Sequence, residues 1–255
     1  FAGLIAVTVG VASYLQMRDR PNVSLLSDIK SAFRGELGAI TGQVTNGVFI
    51  SFEGGEGSGK STQTKLLKEW LEKNSETVLL TREPGGTPLG DQLRDILLDN
   101  KTGAISPRAE ALMYAADRAH HVFSTIRPAL QRGEVVISDR YFDSSIAYQG
   151  AGRVLLPTEV ARISRWATES LTPTLTVIMD LPAEIGLGRL QSTDRLESEP
   201  LAFHERVRQE FLNLAYQDPE RFLVVDASLS IEQIHQVITE RVSAIKLLKR
   251  NQKLP

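Results

Sequence analysis

The sequence contains no cysteine at any of its 255 positions. Without thiols the chain forms no disulfide, uses no cysteine nucleophile and binds no metal through sulfur, and this composition fits a reducing compartment. It also lacks an excess of either charge, since 29 Lys and Arg against 31 Asp and Glu give a net charge of −2. A strongly basic nucleic-acid scaffold is therefore excluded, although a local basic cleft is not.

No internal repeat or low-complexity tract is visible in the sequence. The chain is 42% apolar and 24% charged, which is close to the average of globular proteins and excludes disorder, collagen and a pure coiled coil. Its length allows one large domain or two small ones.

Residues 1–17 carry no charged side chain. A signal peptide has its basic residues ahead of the apolar run, whereas Arg18 and Arg20 follow this one. A buried core helix stays open, because this run lies at the short edge of the roughly 17–25 residues that span a bilayer. We favour the end of a transmembrane helix of a longer protein, because the sequence begins at Phe1 without Met and the arginines would mark the cytoplasmic side.

The rest of the chain divides into three parts by composition. Residues 18–47 are expected to form a linker with a short amphipathic helix, since Leu25, Leu26 and Ile29 lie at helical spacing. One domain is expected over residues 48–245, and a basic C-terminal tail over residues 246–255.

A phosphate loop is predicted near the start of this domain. A β-prone run, VFISFE at residues 48–53, leads into GGEGSGKS at residues 54–61, which matches G-x-x-x-x-G-K-[ST], and residues 62–73 have helical periodicity. In this context backbone N–H groups and the helix N-terminus bind phosphate. A glycine-rich turn that only caps a helix is the alternative interpretation. The residues expected to bind ATP are Gly54, Gly55, Glu56, Gly57, Ser58, Gly59, Lys60, Ser61 and Thr62.

Strand-like and helix-like segments alternate along the domain, which predicts an α/β fold with a parallel sheet. Ligands should then bind beyond the carboxyl ends of the strands. This rule predicts that the functional residues lie in residues 53–61, 82–87 and 139–149 and just past Asp180. Besides residues 48–53, the predicted strands are residues 77–81, 134–138, 175–180 and 221–225.

Polar residues occur at these strand ends. Asp139 can hold Mg²⁺ and Arg140 can bind a second phosphate, whereas a surface ion pair is the plain alternative. A β-turn alone would explain the glycines of TREPGGT at residues 81–87. Tyr114 and Arg118 lie on the helix that begins at residues 106–107, where core packing would be the ordinary role of the tyrosine.

Residues 48–242 resemble the thymidylate kinase family throughout. The matching segments are FEGGEGSGKST, TREPGGTPLG, LRDILLD, AEALMYAADRAHH, DRYFDSSIAYQG and DRLE with FHERVRQEFLNLA. The resemblance implies a P-loop nucleoside monophosphate kinase fold, with a parallel five-stranded sheet flanked by helices and a mobile lid. It implies ATP-dependent phosphorylation of dTMP to dTDP with Mg²⁺, and a homodimer.

The resemblance also implies roles for residues around the nucleoside. Tyr114 stands where the family usually has a Phe stacked on thymine, and its additional hydroxyl needs a partner or water. Arg118 would address the edge of the base, with Ser145 and Gln149 as polar neighbours. Tyr148 resembles the aromatic residue beneath the deoxyribose, which can exclude a 2′-hydroxyl.

A second set is implied around the phosphates. Arg140, with Arg82 and Arg94, would bind the thymidylate phosphate. Glu56 resembles the loop carboxylate that faces the 3′-hydroxyl of the sugar. Asp139, with the Ser61 hydroxyl, would hold the metal.

Some members of the family have a catalytic arginine inside the phosphate loop, but residues 56–58 contain none. The bacterial-type alternative has lid arginines, which predicts catalytic roles for Arg189 and Arg195 beside Lys60 and Arg140. A solvated charge cluster at an exposed helix end is the alternative for the lid residues.

Other functions stay open at this stage. They are a kinase for another deoxynucleoside monophosphate, a non-catalytic nucleotide-sensing domain of a membrane protein, and a nucleic-acid-binding ATPase. The last is disfavoured because the sequence has no basic stripe outside the site motifs. We expect a cytoplasmic kinase domain without nucleic-acid partners, attached to the inner face of a membrane if residues 1–17 are embedded.

Overall fold

The computed structural model describes residues 47–191 and 194–251. The predictions for residues 1–17, for the linker before residue 47 and for the end of the C-terminal tail lie outside these ranges. Among the helices that the structure describes, none combines the length and the hydropathy needed to span a bilayer.

A parallel sheet of five strands, in the order β2-β3-β1-β4-β5, forms the centre of the domain. Strands β1, β3 and β4 are almost entirely buried, which explains their continuous aliphatic sequences, because helices cover both faces of such a sheet. The predicted strands are confirmed to within one residue at each end. Their bounds are Val48–Glu53 (β1), Val78–Arg82 (β2), Val135–Asp139 (β3), Leu175–Asp180 (β4) and Phe222–Asp226 (β5).

Helices connect the strands on both faces of the sheet. The helix predicted at residues 106–107 begins there, with Ser106 as N-cap and Pro107 in the first turn, where a missing N–H costs nothing. Two stretches, Val122–Ile126 and Ile146–Gly152, are π-helical. The α-helices are Lys60–Lys73 (α1), Pro88–Leu98 (α2), Pro107–His121 (α3), Arg127–Gln131 (α4), Phe142–Ser145 (α5), Pro157–Ala167 (α6), Ala183–Gly188 (α7), Leu201–Gln217 (α8) and Ile231–Asn251 (α9).

The strand order determines where ligands can bind. β1 lies at the centre, with β3 on one side and β4 on the other, so the connections leaving β1 and β3 diverge and open a crevice at the carboxyl ends. Alternate residues of β1 point to opposite faces, where Ile50 and Phe52 pack with Leu67 of α1 and Phe49 packs with Ile126. These two apolar clusters hold the strand ends in place.

Candidate active site

The phosphate loop follows β1 and requires glycine at defined positions. Gly54 has φ of +132° and Gly57 has φ of +63°, values that side-chain-bearing residues rarely adopt. A Cβ atom at Gly54 would lie 2.5 Å from the Met179 carbonyl oxygen, and one at Gly57 would lie 2.1 Å from that of Gly186. The loop is therefore packed against the end of β4 and against α7, and its shape is fixed by the fold.

Lys60 is buried at the start of α1 and arches over this loop. Its Nζ donates to the carbonyl oxygens of Gly54 at 3.1 Å and Gly55 at 2.7 Å. Burial, and then the nearby Arg140 guanidinium, lower the pKa of Lys60 to about 8. An anionic phosphate beside it would favour the charged form, which suits the side chain to a phosphate site.

The predicted metal ligands lie side by side. The Ser61 hydroxyl donates to Oδ2 of Asp139 at 2.8 Å, which joins α1 to the end of β3. Across the described ranges, no group of three or more His, Asp or Glu residues could hold a metal ion. One hydroxyl and one carboxylate fit Mg²⁺, which usually takes one or two carboxylates and completes its shell with water and substrate phosphate.

Arg140 comes directly after β3 and has φ of +70°, a strained conformation for this residue. Its guanidinium donates to the Gly54 carbonyl oxygen at 3.0 Å and to Oε1 of Glu56 at 2.7 Å. The guanidinium also lies 4.9 Å from the centre of the Tyr148 ring. These contacts hold the side chain between the phosphate loop and the neighbouring pocket.

Glu56 is the carboxylate at this junction. Burial opposes its ionisation, but Arg140 and Lys60 outweigh burial and lower its pKa to about 2. The Tyr148 hydroxyl donates to Oε1 of Glu56 at 2.6 Å. The site therefore contains a fixed negative charge that can accept a hydrogen bond from a sugar hydroxyl.

A single pocket collects most of the predicted substrate residues, while Arg82 borders the adjoining phosphate cleft. The Arg82 side chain is 56% exposed and pairs with Asp91 at 3.2 Å. Tyr114 is 7% exposed, and its pKa is raised because burial disfavours the phenolate. The predicted residues that line the pocket are Glu56, Arg94, Tyr114, Arg118, Arg140, Ser145, Tyr148 and Gln149.

Arg118 forms the base of this pocket and is 1% exposed. Its Nε donates to Oε2 of Glu83 at 2.7 Å, and another nitrogen donates to the Ser145 hydroxyl at 3.0 Å. The other oxygen of Glu83 lies 3.0 Å from Nδ1 of His121. The TREPGGT segment is thus fastened to α3 by a buried carboxylate.

The two lid arginines lie in different places. Arg189 donates to the Gly57 carbonyl oxygen at 3.0 Å, so it lies at the phosphate loop. Arg195 instead donates to Oε2 of Glu110 at 2.5 Å and to the Leu97 carbonyl oxygen at 2.7 Å. The structure therefore places Arg189, but not Arg195, beside the phosphate loop.

Several buried carboxylates were missed by sequence reasoning. Glu53, the last residue of β1, accepts from the Tyr141 N–H at 2.8 Å and from the Ser144 hydroxyl at 2.5 Å. Glu83 and Glu110 stand inside TREPGGT and AEALMYAADRAHH, but the letters of these motifs do not predict which partners the carboxylates have. A carboxylate that ends an apolar strand, as Glu53 does, is the signal that could have been used.

A parallel α/β sheet with a phosphate loop after β1 and a second, arginine-lined pocket beside it defines a P-loop nucleoside monophosphate kinase. The sequence model of the thymidylate kinase family matches residues 52–238. The chain belongs to the thymidylate kinase family.

Named relatives agree with this assignment. A thymidylate kinase of Clavibacter michiganensis subsp. michiganensis is 56% identical over 203 residues, covering 78% of this chain and 96% of the relative. One from Bifidobacterium longum (strain NCC 2705) is 50% identical over 204 residues, covering 78% of this chain and 99% of the relative. The crystal structure of a thymidylate kinase from Ehrlichia chaffeensis has a TM-score of 0.64 and 32% identity, covering 77% of this chain and 98% of that one.

Proposed function

We propose that the chain transfers the γ-phosphoryl group of ATP to dTMP, forming dTDP and ADP. The observation that carries this proposal is the junction at Arg140 and Glu56, where the phosphate loop meets a buried pocket lined by aromatic and arginine side chains. A donor in the loop and a monophosphate in the pocket would present their phosphates to the same guanidinium.

The reaction needs no strong base, because the acceptor phosphate oxygen is already anionic. That oxygen bonds to the γ-phosphorus while the bond from phosphorus to the β,γ-bridging oxygen breaks, and ADP leaves with that electron pair. The obstacle is the approach of two polyanions and the charge that spreads over the transferred group. Lys60 at the loop and Arg140 at the pocket would neutralise this negative charge. Arg189 would do the same from the lid side.

Ser61 and Asp139 would hold Mg²⁺ in this proposal. The ion would neutralise charge on the phosphates of ATP. Lys60 and Arg140 would still be required, because their positive charges would neutralise phosphate oxygens that the ion does not contact.

The pocket residues would select the nucleoside. Tyr114 would stack on the base, with Arg118, Ser145 and Gln149 toward its polar edge. Tyr148 would lie beneath the sugar and exclude a 2′-hydroxyl. Beside these residues, Glu56 would accept from the 3′-hydroxyl, while Arg82 and Arg94 would bind the monophosphate with Arg140.

An ADP-release assay with dTMP, dUMP and dCMP tests this assignment. We expect dTMP to give the highest kcat/KM, because relatives that are 56% and 50% identical to this chain are thymidylate kinases. A preference for dUMP or dCMP would favour a kinase for another monophosphate. ATP binding without release of dTDP would favour a non-catalytic sensing domain.

We also propose that two copies of the chain form a homodimer through the outer face of α3 and α6. Leu112 on α3 is 56% exposed, Phe123 just after α3 is 75% exposed and Trp166 on α6 is 82% exposed, and large exposed apolar side chains are typical of interfaces. Sedimentation of the chain with Leu112→Asp and Phe123→Asp should give a monomer. If each variant still sedimented as a dimer, the interface would not be the proposed face.

Finally, we propose that the kinase domain works in the cytoplasm and is attached to a membrane through residues 1–17. The apolar composition of this segment and the arginines after it support the attachment. Fractionation of cells expressing the full chain, compared with residues 47–255 alone, tests it. Equal recovery of both in the supernatant would contradict the attachment.

A further inference from the structure

Glu110 is a fully buried carboxylate that accepts hydrogen bonds from three side chains in two parts of the fold. Its Oε1 accepts from Nε2 of Gln149 at 3.0 Å and from Nε of Arg153 at 3.2 Å. Its Oε2 accepts from Arg195 at 2.5 Å. These hydrogen bonds lower the pKa of Glu110 despite the opposing effect of burial, so the carboxylate carries a charge at neutral pH.

A turn formed by residues 194–199 makes one wall of the nucleobase pocket. Oδ1 of Asp194 accepts from the backbone N–H groups of Leu196 and Glu197, both at 2.9 Å. The N–H of Asp194 donates to Oε2 of Glu197 at 2.9 Å. The turn is thus held together locally, and Asp194, Leu196 and Glu197 all line the pocket.

Arg195 attaches this turn to the body of the domain. Its backbone N–H donates to the Leu98 carbonyl oxygen at 3.1 Å and its Nε to that of Leu97 at 2.7 Å, both at the end of α2. The guanidinium then reaches Glu110 on α3, and the side chain is only 10% exposed. A charge-assisted pair with so little water around it resists opening.

The same carboxylate sets the orientation of Gln149 in the pocket. A carboxylate accepts hydrogen bonds and does not donate them, so the Gln149 amide must turn its nitrogen toward Glu110. The amide oxygen is then the group left for an N–H of a bound base. A base that offers an acceptor at that point would be disfavoured.

We propose that Glu110 is a positioning residue that couples the wall formed by residues 194–199 to the orientation of Gln149, and that Arg195 acts through Glu110 rather than on the phosphates. This proposal rests on the proposed function. Because the wall encloses the ground state and the transition state alike, its loss should raise KM for the monophosphate and leave kcat nearly unchanged.

The test is a double-mutant cycle of Arg195→Ala and Glu110→Gln, with KM for dTMP and kcat measured separately. Each single variant should raise KM for dTMP roughly tenfold, the scale of a hydrogen bond between charged groups. The double variant should be no worse than Glu110→Gln alone. By contrast, Arg189→Ala should lower kcat, and its effect should multiply with that of Glu110→Gln.

Arg127→Ala is the matched control, because Arg127 is a half-buried arginine paired with Glu169 at 3.1 Å away from the cleft. It should leave KM for dTMP unchanged. Arg195→Lys keeps the positive charge but lacks the planar guanidinium. Its KM for dTMP should therefore lie between those of the unmodified chain and Arg195→Ala. If Glu110→Gln does not fold, Arg195→Ala and its combination with Arg189→Ala still decide the question.

The proposal is overturned if Arg195→Ala lowers kcat while KM stays the same, or if the effects of Arg195→Ala and Glu110→Gln multiply. Failure of the proposed function would look different, because the unmodified chain would then form no dTDP. In that case the same cycle is measured as the Kd for dTMP by calorimetry. Coupled losses of affinity would still support the positioning role.

Discussion

The two halves of the cleft are built in opposite ways. The phosphate loop is one contiguous segment whose shape is set by its backbone. Gly54 packs against Met179, and Gly57 packs against Gly186. The adjoining pocket is assembled from buried and half-buried side chains on α2, α3, the segment after β3 and the turn of residues 194–199. The geometry of the phosphate loop therefore depends on local backbone shape. The geometry of the pocket depends on contacts between residues that are far apart in the chain.

This difference has a consequence for substitutions. In the phosphate loop, a side chain such as Lys60 bonds to the carbonyl oxygens of its own loop, and we propose that it contacts the transferred phosphate. In the pocket, a side chain such as Arg118 is held by several buried partners before any ligand is bound. Changes on the loop side should therefore reduce the rate, and changes on the pocket side should reduce affinity or stability.

The largest effect is expected for Lys60→Ala. It removes the cation beside the transferred group, so kcat should fall by about 10²–10³ or more, while the unfolding midpoint stays close to that of the unmodified chain. Single-turnover kinetics and urea unfolding measure the two quantities. Lys65→Ala, an exposed change on the same helix, is the control. If Lys60→Ala kept a tenth of the normal kcat, the loop side would not control the rate as proposed.

Arg140→Lys should have the next largest effect, because this residue belongs to both halves. A lysine cannot contact the Gly54 carbonyl oxygen and Glu56 together with a planar fork. We expect kcat/KM for dTMP to fall about 10- to 100-fold, with both kcat and KM affected. Arg132→Lys, at an exposed arginine that pairs with Glu134 before β3, should change neither parameter. An unchanged kcat in Arg140→Lys would assign Arg140 to the pocket alone.

The buried carboxylate of Glu53, which joins the end of β1 to the segment after β3, should also make stability depend on pH. Burial, and then the neighbouring Asp143, raise the pKa of Glu53 to about 8 from an ordinary 4.5. Because the folded-state pKa is raised, the stabilisation is complete below pH 4.5 and is lost as pH rises to about 8.

We therefore expect the free energy of unfolding to fall by about 1 kcal/mol per pH unit between pH 5.5 and 7.5 from this group. Glu53→Gln stays neutral throughout and should lack that slope. Urea unfolding at several pH values measures both proteins. Parallel pH curves for the two proteins would mean that Glu53 is ionised in the folded state.

The smallest effect is expected for Tyr114→Phe. The ring and its stacking face are retained, and only the phenol hydroxyl is removed. KM for dTMP should change less than about threefold, whereas Tyr114→Ala should raise it well beyond that. A tenfold change in Tyr114→Phe would show that the hydroxyl contacts the ligand or orders the pocket.

The sequence predicts the local features of the cleft well, but not the contacts between residues that are far apart in the chain. The strands and the phosphate loop could be predicted because their causes are local: continuous apolar runs mark buried parallel strands, and glycines mark a tight loop. The position of Arg195 could not, because its carboxylate partner, Glu110, lies 85 residues away in the chain. Glu53 was missed for the same reason, since its contact with Tyr141 spans 88 residues.

The central claim is tested most directly by product analysis of the purified chain with ATP, Mg²⁺ and dTMP. We expect one dTDP for each ADP formed, with negligible ADP when dTMP is omitted, and loss of both products in Lys60→Ala. ATP binding without dTDP, or ADP released at the same rate with and without dTMP, would contradict it.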